Sequence, residues 1–188
     1  MNNLIIFDLE ATCSSTLPVN KREIIEIGAI KIADGNIVDS FQCFVKPKKN
    51  SQLSNYCKSL THITQEQIDN ASCGREALSN FLAWAGKSVF ASWGDFDSKI
   101  LQKELHKNKI SEIEIIEFVN LQRMYMAVRK LSTAISLVDA LKKEHIKNEV
   151  EQHRAYDDAL NTYKIYKKNA SKIDAMMTQY YSKLKRKA

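Results

Sequence analysis

Three separated groups of acidic side chains in this sequence could support metal-assisted chemistry. The first is Asp8 and Glu10, which follow the apolar run 4–7. Alternate residues of a strand share one face, so both carboxylates would project together from the end of a buried strand. The two carboxylates repel each other unless a cation neutralises them, and carboxylate oxygens are suitable ligands for Mg²⁺ or Mn²⁺. Acids that simply end a strand in water are at least as common, so the pair needs partners to indicate a metal site.

Candidate partners occur at two later places in the chain. Asp95 and Asp97 follow a fourth predicted strand, and Asp157 and Asp158 lie early in a predicted helix after His153. Four carboxylates converging at strand ends could hold two cations, which activate water on one side of a phosphodiester and stabilise the leaving oxygen on the other. Acidic residues near helix N-termini also cap helices and favour the helix dipole. Each pair taken alone is therefore weak evidence.

Hydrophobic patterning predicts the elements that would position these groups. A buried strand over 4–10 precedes two β-rich segments, 24–33 and 36–45, joined by Asp34-Gly35, a dipeptide that favours a two-residue hairpin turn. Further strands are predicted over 88–93 and 117–121. A capping box opens a short helix at Thr64, and helical spacing predicts helices over 75–85, from Gly94, over 121–129, 132–144 and 154–169, and from 171. This order predicts an α/β fold: a mixed sheet, with an antiparallel meander of three strands plus parallel strands, flanked by helices.

Length and composition restrict the class of protein. A chain of 188 residues with 44% hydrophobic and 27% charged residues, 5 Gly and 2 Pro fits one globular domain and excludes collagen-like or wholly disordered chains. No stretch approaches the roughly 18 apolar residues of a membrane span. We therefore expect a soluble cytoplasmic protein without a signal peptide or membrane partner. Its four cysteines form no CxxC pair and are predicted to be reduced thiols: Cys13, Cys43, Cys57 and Cys73.

The positive charge is concentrated at the C-terminal end of the chain. Residues 160–188 contain eight Lys or Arg against Asp174 alone, a net charge of 8 − 1 = +7. Residues 1–159 contain 20 basic and 21 acidic groups, a net charge of −1. This distribution predicts a globular domain over 1–169 and a basic helix or tail over 170–188. The tail would contact a polyanion, although a solvated helix face is the common alternative.

The acidic groups form three motifs that share their order and residue pattern with one enzyme family. They are Asp8-Leu-Glu10-Ala-Thr12, Trp93-Gly-Asp-Phe-Asp97 and His153-Arg-Ala-Tyr-Asp-Asp158. In this order they resemble the DEDDh 3′–5′ exonucleases of the ribonuclease H-like fold. The phrase from Leu53 to Thr64 is similar to the ERI-type branch of small RNA exonucleases, except that His62 stands where that branch usually has Gly. The resemblance covers about residues 1–169.

The resemblance implies roles for particular residues. The metal ligands would be Asp8, Glu10, Asp97 and Asp158, binding two Mg²⁺ ions with Mn²⁺ as a possible replacement. His153 would be the general base, on a loop before the helix because five residues do not return to one helical face. Asp95 would then be a helix cap, and Asp157 would not be a ligand. The residues that would contact the 3′-terminal nucleotides are Glu10, Ala11, Thr12, Tyr56, Leu60, Phe96 and His153.

The resemblance also predicts a reaction: metal-dependent hydrolysis at the 3′ end of RNA or single-stranded nucleic acid, releasing nucleoside 5′-monophosphates. Three alternatives remain open at this point. One is the same enzyme with DNA as its main substrate, and another is a non-catalytic nucleic-acid-binding protein on the same fold. The third is a basic-tailed interaction protein whose acidic motifs are only helix caps. One departure from the family pattern is the acidic segment 148–152, which replaces a Gly-rich turn before His153. The sequence predicts no oligomeric state.

Overall fold

A computed structural model describes residues 3–111, 115–148 and 153–185, the last six by their backbone alone. Its centre is a six-stranded sheet in the order β4-β3-β2-β1-β5-β6. The strands are β1 (Leu4–Ala11), β2 (Ile24–Ala33), β3 (Asn36–Lys46), β4 (Ser72–Cys73), β5 (Ser88–Ser92) and β6 (Ile115–Asn120). The pairs β1–β2 and β2–β3 are antiparallel, and the pairs β3–β4, β1–β5 and β5–β6 are parallel. The predicted α/β class and the mixed sheet are therefore confirmed.

Helices cover both faces of this sheet. They are α1 (Asn55–Thr61), α2 (Gln65–Asp69), α3 (Gly74–Ala85), α4 (Phe96–Lys107), α5 (Leu121–Arg129), α6 (Leu137–Lys143) and α7 (Ala155–Lys185). One face of β1 presents Phe7 to a core that includes residues of α3 and α4. The opposite face presents Leu4 and Ile6 to a core that includes residues of α5 and α7. A strand covered on both faces is apolar almost throughout, which explains the run 4–7.

Two local predictions are confirmed in detail. Asp34 and Gly35 have φ angles of 49° and 74°, which are the positive values that the hairpin turn between β2 and β3 requires. Thr64 and Gln67 form the predicted capping box of α2: the Thr64 hydroxyl accepts from the Gln67 N–H at 3.2 Å, and Gln67 Oε1 accepts from the Thr64 N–H at 2.8 Å. Residues that satisfy the free backbone groups of a helix end can be recognised from local sequence.

Three helix predictions differ from the structure. The helix predicted over 132–144 is shorter, because Ser136 caps α6 by accepting from the Asp139 N–H at 3.1 Å. The two helices predicted over 154–169 and from 171 are one helix, α7, which continues through this region. No Gly or Pro lies between 154 and 185 to end it. The third difference is α1, a helix that the sequence did not predict.

The proposed division of the chain at residue 169 falls inside α7. The separate basic tail over 170–188 stays a prediction, because the side chains of 180–188 lie outside the structural description. None of the described helices combines the length and the apolar character that crossing a bilayer requires.

The start of α7 is fixed against β2 by a buried carboxylate. Glu26, which is fully buried, accepts hydrogen bonds from Arg154 Nη2 at 2.9 Å, Arg154 Nε at 3.2 Å and the Ala155 N–H at 3.1 Å. Two residues along β2, Gly28 lies so close to the helix that a Cβ added there would be 2.0 Å from the Tyr156 nitrogen. This contact determines where the first turn of α7 lies relative to β1.

Candidate active site

The first two acidic side chains lie on the face of β1 that α7 covers. Asp8 is opposite Gly28, and Glu10 is opposite Glu26, in the antiparallel pair β1–β2. They continue the row of Leu4 and Ile6, as alternate residues of a strand must. Glu10 is 9% exposed. The predicted pair of carboxylates is thus real, and it points toward the beginning of α7 rather than into open solvent.

Asp97 approaches the same place from the first turn of α4. It is buried, with 5% of its surface exposed. Burial raises the pKa of Asp97 to about 7, the backbone N–H groups of Asp97 and Leu9 partly oppose this rise, and the charge of Asp158 adds to it. A helix N-terminus next to β1 therefore brings this carboxylate to Asp8, although 89 residues separate them in sequence.

Asp158 and His153 complete the group from the start of α7. His153 lies in the turn before the helix, with a φ angle of 61°, and its backbone N–H donates to Asp158 Oδ2 at 3.2 Å. Among the described residues, potential ligand atoms of Glu10, His153 and Asp158 all lie within 4.8 Å of one another. The predicted loop position of His153 is confirmed. Residues 149–152, which carry most of the acidic segment before it, lie outside the described residues.

The pKa values of these carboxyl groups show that the site is short of positive charge. Burial raises the pKa of Asp8 well above its usual value, and the charges of Asp97, Glu10, Asp158 and Glu26 raise it further. Burial likewise raises the pKa of Glu10 to about 8, with Asp158 and Glu26 adding to the rise. The pKa of Asp158 is also raised, chiefly by burial. Without a cation, the folded protein holds protons on these groups more tightly than an unfolded chain would.

A divalent metal ion fits this set of donors. Carboxylate oxygens are the ligands that hard divalent cations prefer, and a cation would offset the burial and the smaller mutual repulsion that raise the four pKa values. The predicted ligands Asp8, Glu10, Asp97 and Asp158 all belong to the electrostatically linked group. The tightest cluster, however, combines Glu10 and Asp158 with His153 and leaves out Asp8 and Asp97. His153 thus lies where it can serve either as a ligand or as a base.

The residues predicted to contact substrate fall into two kinds. Tyr56 on α1 and Phe96 at the start of α4 are large hydrophobic side chains that are 55% and 37% exposed. Leu60 is half-buried and packs against the small core that includes Cys57. Ala11 and Thr12 are buried. The exposed rings are available for stacking, whereas the other three can present only limited surface, so the substrate roles stay predictions.

The Thr12 hydroxyl has a structural bond. It accepts from the Glu23 N–H at 2.9 Å, and the Thr12 N–H donates to the Glu23 carbonyl at 2.8 Å. Together these bonds hold the chain after Glu10 against the beginning of β2. The position of Thr12 therefore keeps the end of β1 in register beside the acidic group.

The sequence interpretation missed the positioning pair Glu26 and Arg154. Their side chains are 128 residues apart in sequence and form a bidentate ion pair beneath the site. Arg154 also lies over the Phe44 ring at 5.5 Å and lowers the pKa of Glu10 against the effects that raise it. A signal was present: Glu26 is an acid in the middle of the otherwise apolar run 24–30. A buried acid of this kind requires a partner.

Asp95 occupies the cap position of α4 but does not cap it. Its side chain makes no capping hydrogen bond. Instead, Oδ1 accepts from Asn120 Nδ2 at 2.7 Å and Oδ2 accepts from Arg123 Nη2 at 2.6 Å. The predicted cap bond is therefore wrong, because side chains at the end of β6 and on α5 offer stronger donors. Asp95 joins the loop before α4 to these elements.

This difference predicts contrasting effects for two neighbouring acids. Asp97→Ala should abolish the hydrolysis that the sequence resemblance predicts, because it removes a buried carboxylate of the acidic group. Asp95→Ala should retain most of the turnover and lose about 1 kcal/mol of stability, since its carboxylate is 35% exposed and bonds to an exposed Arg. Activity assays paired with urea unfolding check both variants. An active Asp97→Ala protein together with an inactive, folded Asp95→Ala protein would reverse the assignment.

Comparison with known proteins covers nearly the same residues as the sequence resemblance, which spans about residues 1–169. The family RNase T, described as exonuclease, matches residues 5–166. The chain is 31% identical over 175 residues to the probable 3′–5′ exonuclease KapD of Bacillus subtilis, covering 88% of this chain and 83% of that protein. It is 34% identical over 177 residues to the PolC-type DNA polymerase III of Clostridium perfringens, covering 92% of this chain and only 12% of that protein.

A solved structure extends the comparison to three dimensions. The nuclease domain of 3′hExo, a DEDDh family member bound to rAMP, has a TM-score of 0.80 and 26% sequence identity to this chain. The similarity covers 90% of this chain and 92% of that domain. The family match over residues 5–166 includes the whole acidic group and His153.

Proposed function

The chain belongs to the RNase T exonuclease family as a 3′–5′ exonuclease of the DEDDh group, and we propose that it acts on the 3′ end of single-stranded RNA with two Mg²⁺ ions. The observation that carries this proposal is the group of four carboxylates, two buried and two half-buried, beside an exposed imidazole. Such a group is unfavourable without cations, and it has the ligand types that Mg²⁺ prefers. Helix capping alone therefore does not account for the acidic motifs.

The protein's own side chains have separate tasks in this reaction. Asp8, Glu10, Asp97 and Asp158 would hold the metal ions, which when bound supply charge neutralisation for the phosphate and the leaving oxygen. His153 accepts a proton from the attacking water as the water oxygen bonds to phosphorus. The bond from phosphorus to the 3′ oxygen of the neighbouring nucleotide breaks, and that oxygen takes up a proton from solvent. The products are a nucleoside 5′-monophosphate and a shortened strand with a 3′-hydroxyl. Because His153 is exposed, it can return its proton to solvent.

The turn that carries His153 supports this role. Its backbone N–H donates to Asp158, so the position of the imidazole is linked to a carboxylate of the same site. The Glu26–Arg154 pair holds the following residue in place. A base must be within reach of the proton that it removes, and this arrangement restricts the imidazole to the neighbourhood of Glu10 and Asp158.

The exposed aromatic rings near the site favour single-stranded 3′ ends as the substrate. Tyr56 and Phe96 present exposed rings on α1 and at the start of α4. Aromatic rings stack on unpaired bases of any sequence, whereas bases within a duplex are already stacked on each other. The similar 3′hExo nuclease domain is bound to rAMP, a ribonucleotide, which supports RNA as the substrate.

DNA is the second candidate substrate. The similarity to a region of a PolC-type DNA polymerase III, at 34% identity, favours this alternative. Both substrates present the same phosphodiester to the metal site, so the acidic group supports either one. The difference between them is the 2′-hydroxyl next to the reacting 3′ oxygen.

One experiment compares these substrates directly. RNA and DNA strands of one sequence, 5′-labelled, are incubated with Mg²⁺, Mn²⁺ or EDTA, both as single strands and as duplexes with and without 3′ overhangs. We expect stepwise shortening of the single-stranded RNA in either metal and none in EDTA. Equal rates on DNA and RNA would mean that the substrate is single-stranded nucleic acid in general and not RNA in particular. Activity in EDTA would contradict the metal site.

His153→Gln tests the base separately from the metal ligands. We expect turnover to fall by about 10²–10⁴-fold, the usual contribution of general acid–base catalysis. The Mg²⁺-induced rise in melting temperature should persist if the four carboxylates are sufficient ligands. Loss of that rise as well, in a folded protein, would identify His153 as a ligand instead. Melting curves with Mg²⁺ and with EDTA distinguish the two roles.

We also propose a role for the basic C-terminal segment and a location for the protein. The basic segment 170–188 would add electrostatic contact with nucleic acid, and the protein would act in the cytoplasm. Both rest on sequence alone: on the charge distribution along the chain and on its composition.

A further inference from the structure

A cavity lined by cations lies at the far end of α4. Its volume is about 510 Å³, and it opens between the end of β3, the start of α3 and the end of α4. The charged residues of its lining are Lys46, Lys48, Arg75, Lys107, Glu23 and Glu104. Four positive minus two negative charges give a net charge of +2. The body of the chain, residues 1–159, has a net charge of −1, so this local excess is not part of a generally basic surface.

Helix α4 connects this cavity to the active site. Asp97 is in its first turn, and Lys107 is its last residue. Between them, Lys99 and Lys103 repeat the lysine at intervals of four residues. Residues four apart lie on the same side of a helix, about 6 Å from each other along its axis. This spacing is similar to that of successive phosphates in an extended single strand.

Arg22 provides an additional donor beside this row of lysines. Its carbonyl oxygen accepts a hydrogen bond from Lys103 Nζ. Its Nε is buried and has no hydrogen-bond partner among the described residues. A buried donor without an acceptor is unfavourable, and a phosphate oxygen is an acceptor that would satisfy it.

We infer that the α4 lysine row and the cavity form a binding track for the phosphates of the strand upstream of its 3′ end. The track rests on the proposed function, because it leads to the site where the terminal nucleotide is removed. From Phe96 to Lys107 the helix rises about 17 Å, which corresponds to about three phosphate intervals. A trinucleotide bound at the active site therefore does not reach the cavity, whereas a 12-nucleotide strand does.

Two of the lysines are unsuitable for testing the track. Lys107 Nζ donates to Glu23 Oε1 at 2.7 Å, and Lys103 bonds to the Arg22 carbonyl. Replacing either would disturb contacts that hold α4 against the start of β2. Lys48, Arg75 and Lys99 are exposed and can be replaced together by Gln.

A matched control removes the same charge elsewhere. Lys87 precedes β5 at the end of the sheet opposite to the acidic group, as the pairing of Leu4 with Val89 shows. Lys142 and Lys143 are exposed at the end of α6. The control protein carries Gln at these three positions.

The test is equilibrium binding in EDTA, where the strand is not cleaved. Fluorescence anisotropy with 5′-labelled RNA and DNA of 3 and 12 nucleotides is measured between 50 and 200 mM salt. Each neutralised phosphate of a single strand contributes about 0.7 to the slope of log affinity against log salt, so three lost contacts lower the slope by about 2. Over this range the wild-type protein should lose about 20-fold more affinity for the 12-mer than the Lys48→Gln/Arg75→Gln/Lys99→Gln protein.

Other outcomes would overturn the track. We expect the control protein to keep the wild-type slope. The test protein should lose much more affinity for the 12-mer than for the trinucleotide, which reaches Lys99 but not the cavity residues Lys48 and Arg75. Equal slopes for the test and control proteins, or an equal loss of affinity for both lengths, contradicts the inference. Because these measurements need no cleavage, a protein that binds as expected but hydrolyses nothing in Mg²⁺ would refute the proposed function while supporting the track.

Discussion

Asp8→Asn should abolish hydrolysis and, in the absence of metal, increase the stability of the fold. The carboxylate is a member of the buried acidic group, so its removal should lower turnover by at least about 10³-fold in Mg²⁺. The asparagine has nearly the same shape but no charge. It therefore removes repulsion that the metal-free folded protein must otherwise carry. Melting temperatures in EDTA and cleavage rates in Mg²⁺ give the two results on one protein sample.

The pH dependence of stability follows from the same charges. In the folded protein the pKa values of Glu10 and Asp97 are about 8 and about 7, above the values of about 4 expected in an unfolded chain. A raised pKa means that the folded form binds the proton more tightly, so this stabilisation is complete below about pH 4 and is lost as pH rises through 7 and 8. Metal-free wild-type protein should melt at a lower temperature at pH 8 than at pH 5.5.

Mg²⁺ should reverse this loss. An ion that binds only the folded form raises its stability, and the deprotonated carboxylates at pH 8 are the better ligands. The rise in melting temperature with Mg²⁺ should thus be larger at pH 8 than at pH 5.5 in the wild-type protein and smaller in Asp8→Asn. A destabilised Asp8→Asn protein in EDTA at pH 8 would mean that Asp8 is a structural acid with a partner.

Gly28→Ala should destabilise the protein by about 3 kcal/mol or more, because overpacking usually costs about 1–3 kcal/mol and here the obstacle is backbone. The added Cβ would be 2.0 Å from the Tyr156 nitrogen and 2.2 Å from the Ala155 carbonyl carbon. The start of α7 must then move away from β2. Since this segment carries Asp158 and follows His153, activity should also fall. Urea unfolding and cleavage rates measure both effects.

Gly74 offers a matched control for this substitution. A Cβ at Gly74 would have Asn108 Nδ2 as its nearest neighbour, at 3.7 Å, which is an ordinary contact distance. Gly74 begins α3, where Ala is the better helix former, so Gly74→Ala should keep or slightly increase stability. If Gly28→Ala were as stable and active as Gly74→Ala, the close approach of α7 to β2 would be wrong.

The sequence predicted the residues of the site where local patterns determine them. Alternation along a strand was enough to place Asp8 and Glu10 on one face, and the interval from His153 to Asp158 was enough to place the histidine before the helix. The hairpin at Asp34 and the capping box at Thr64 also depend on a few neighbouring residues. Each of these features is determined within one element.

The remaining features depend on contacts between distant elements. The Glu26–Arg154 pair forms only after β2 and α7 pack together, and the partners of Asp95 come from β6 and α5. Helix α7 continues past Asn169 because Tyr166 and Ile173, on either side of it, pack into the same core, and no Gly or Pro lies between them to end the helix. The charge distribution along the sequence indicates only the basic C-terminal segment, whereas the cationic cavity is assembled from β3, α3 and α4.

We expect water, assisted by the acidic group and His153, to cleave the last phosphodiester at the 3′ end. The decisive measurement is cleavage of single-stranded RNA in ¹⁸O-labelled water with Mg²⁺, with the products identified by mass spectrometry. The expected products are nucleoside 5′-monophosphates with one ¹⁸O on the phosphate, and a remaining strand that shortens one nucleotide at a time and ends in a 3′-hydroxyl. Products with 2′,3′-cyclic phosphates or 3′-phosphates, or fragments from internal cleavage, would contradict it.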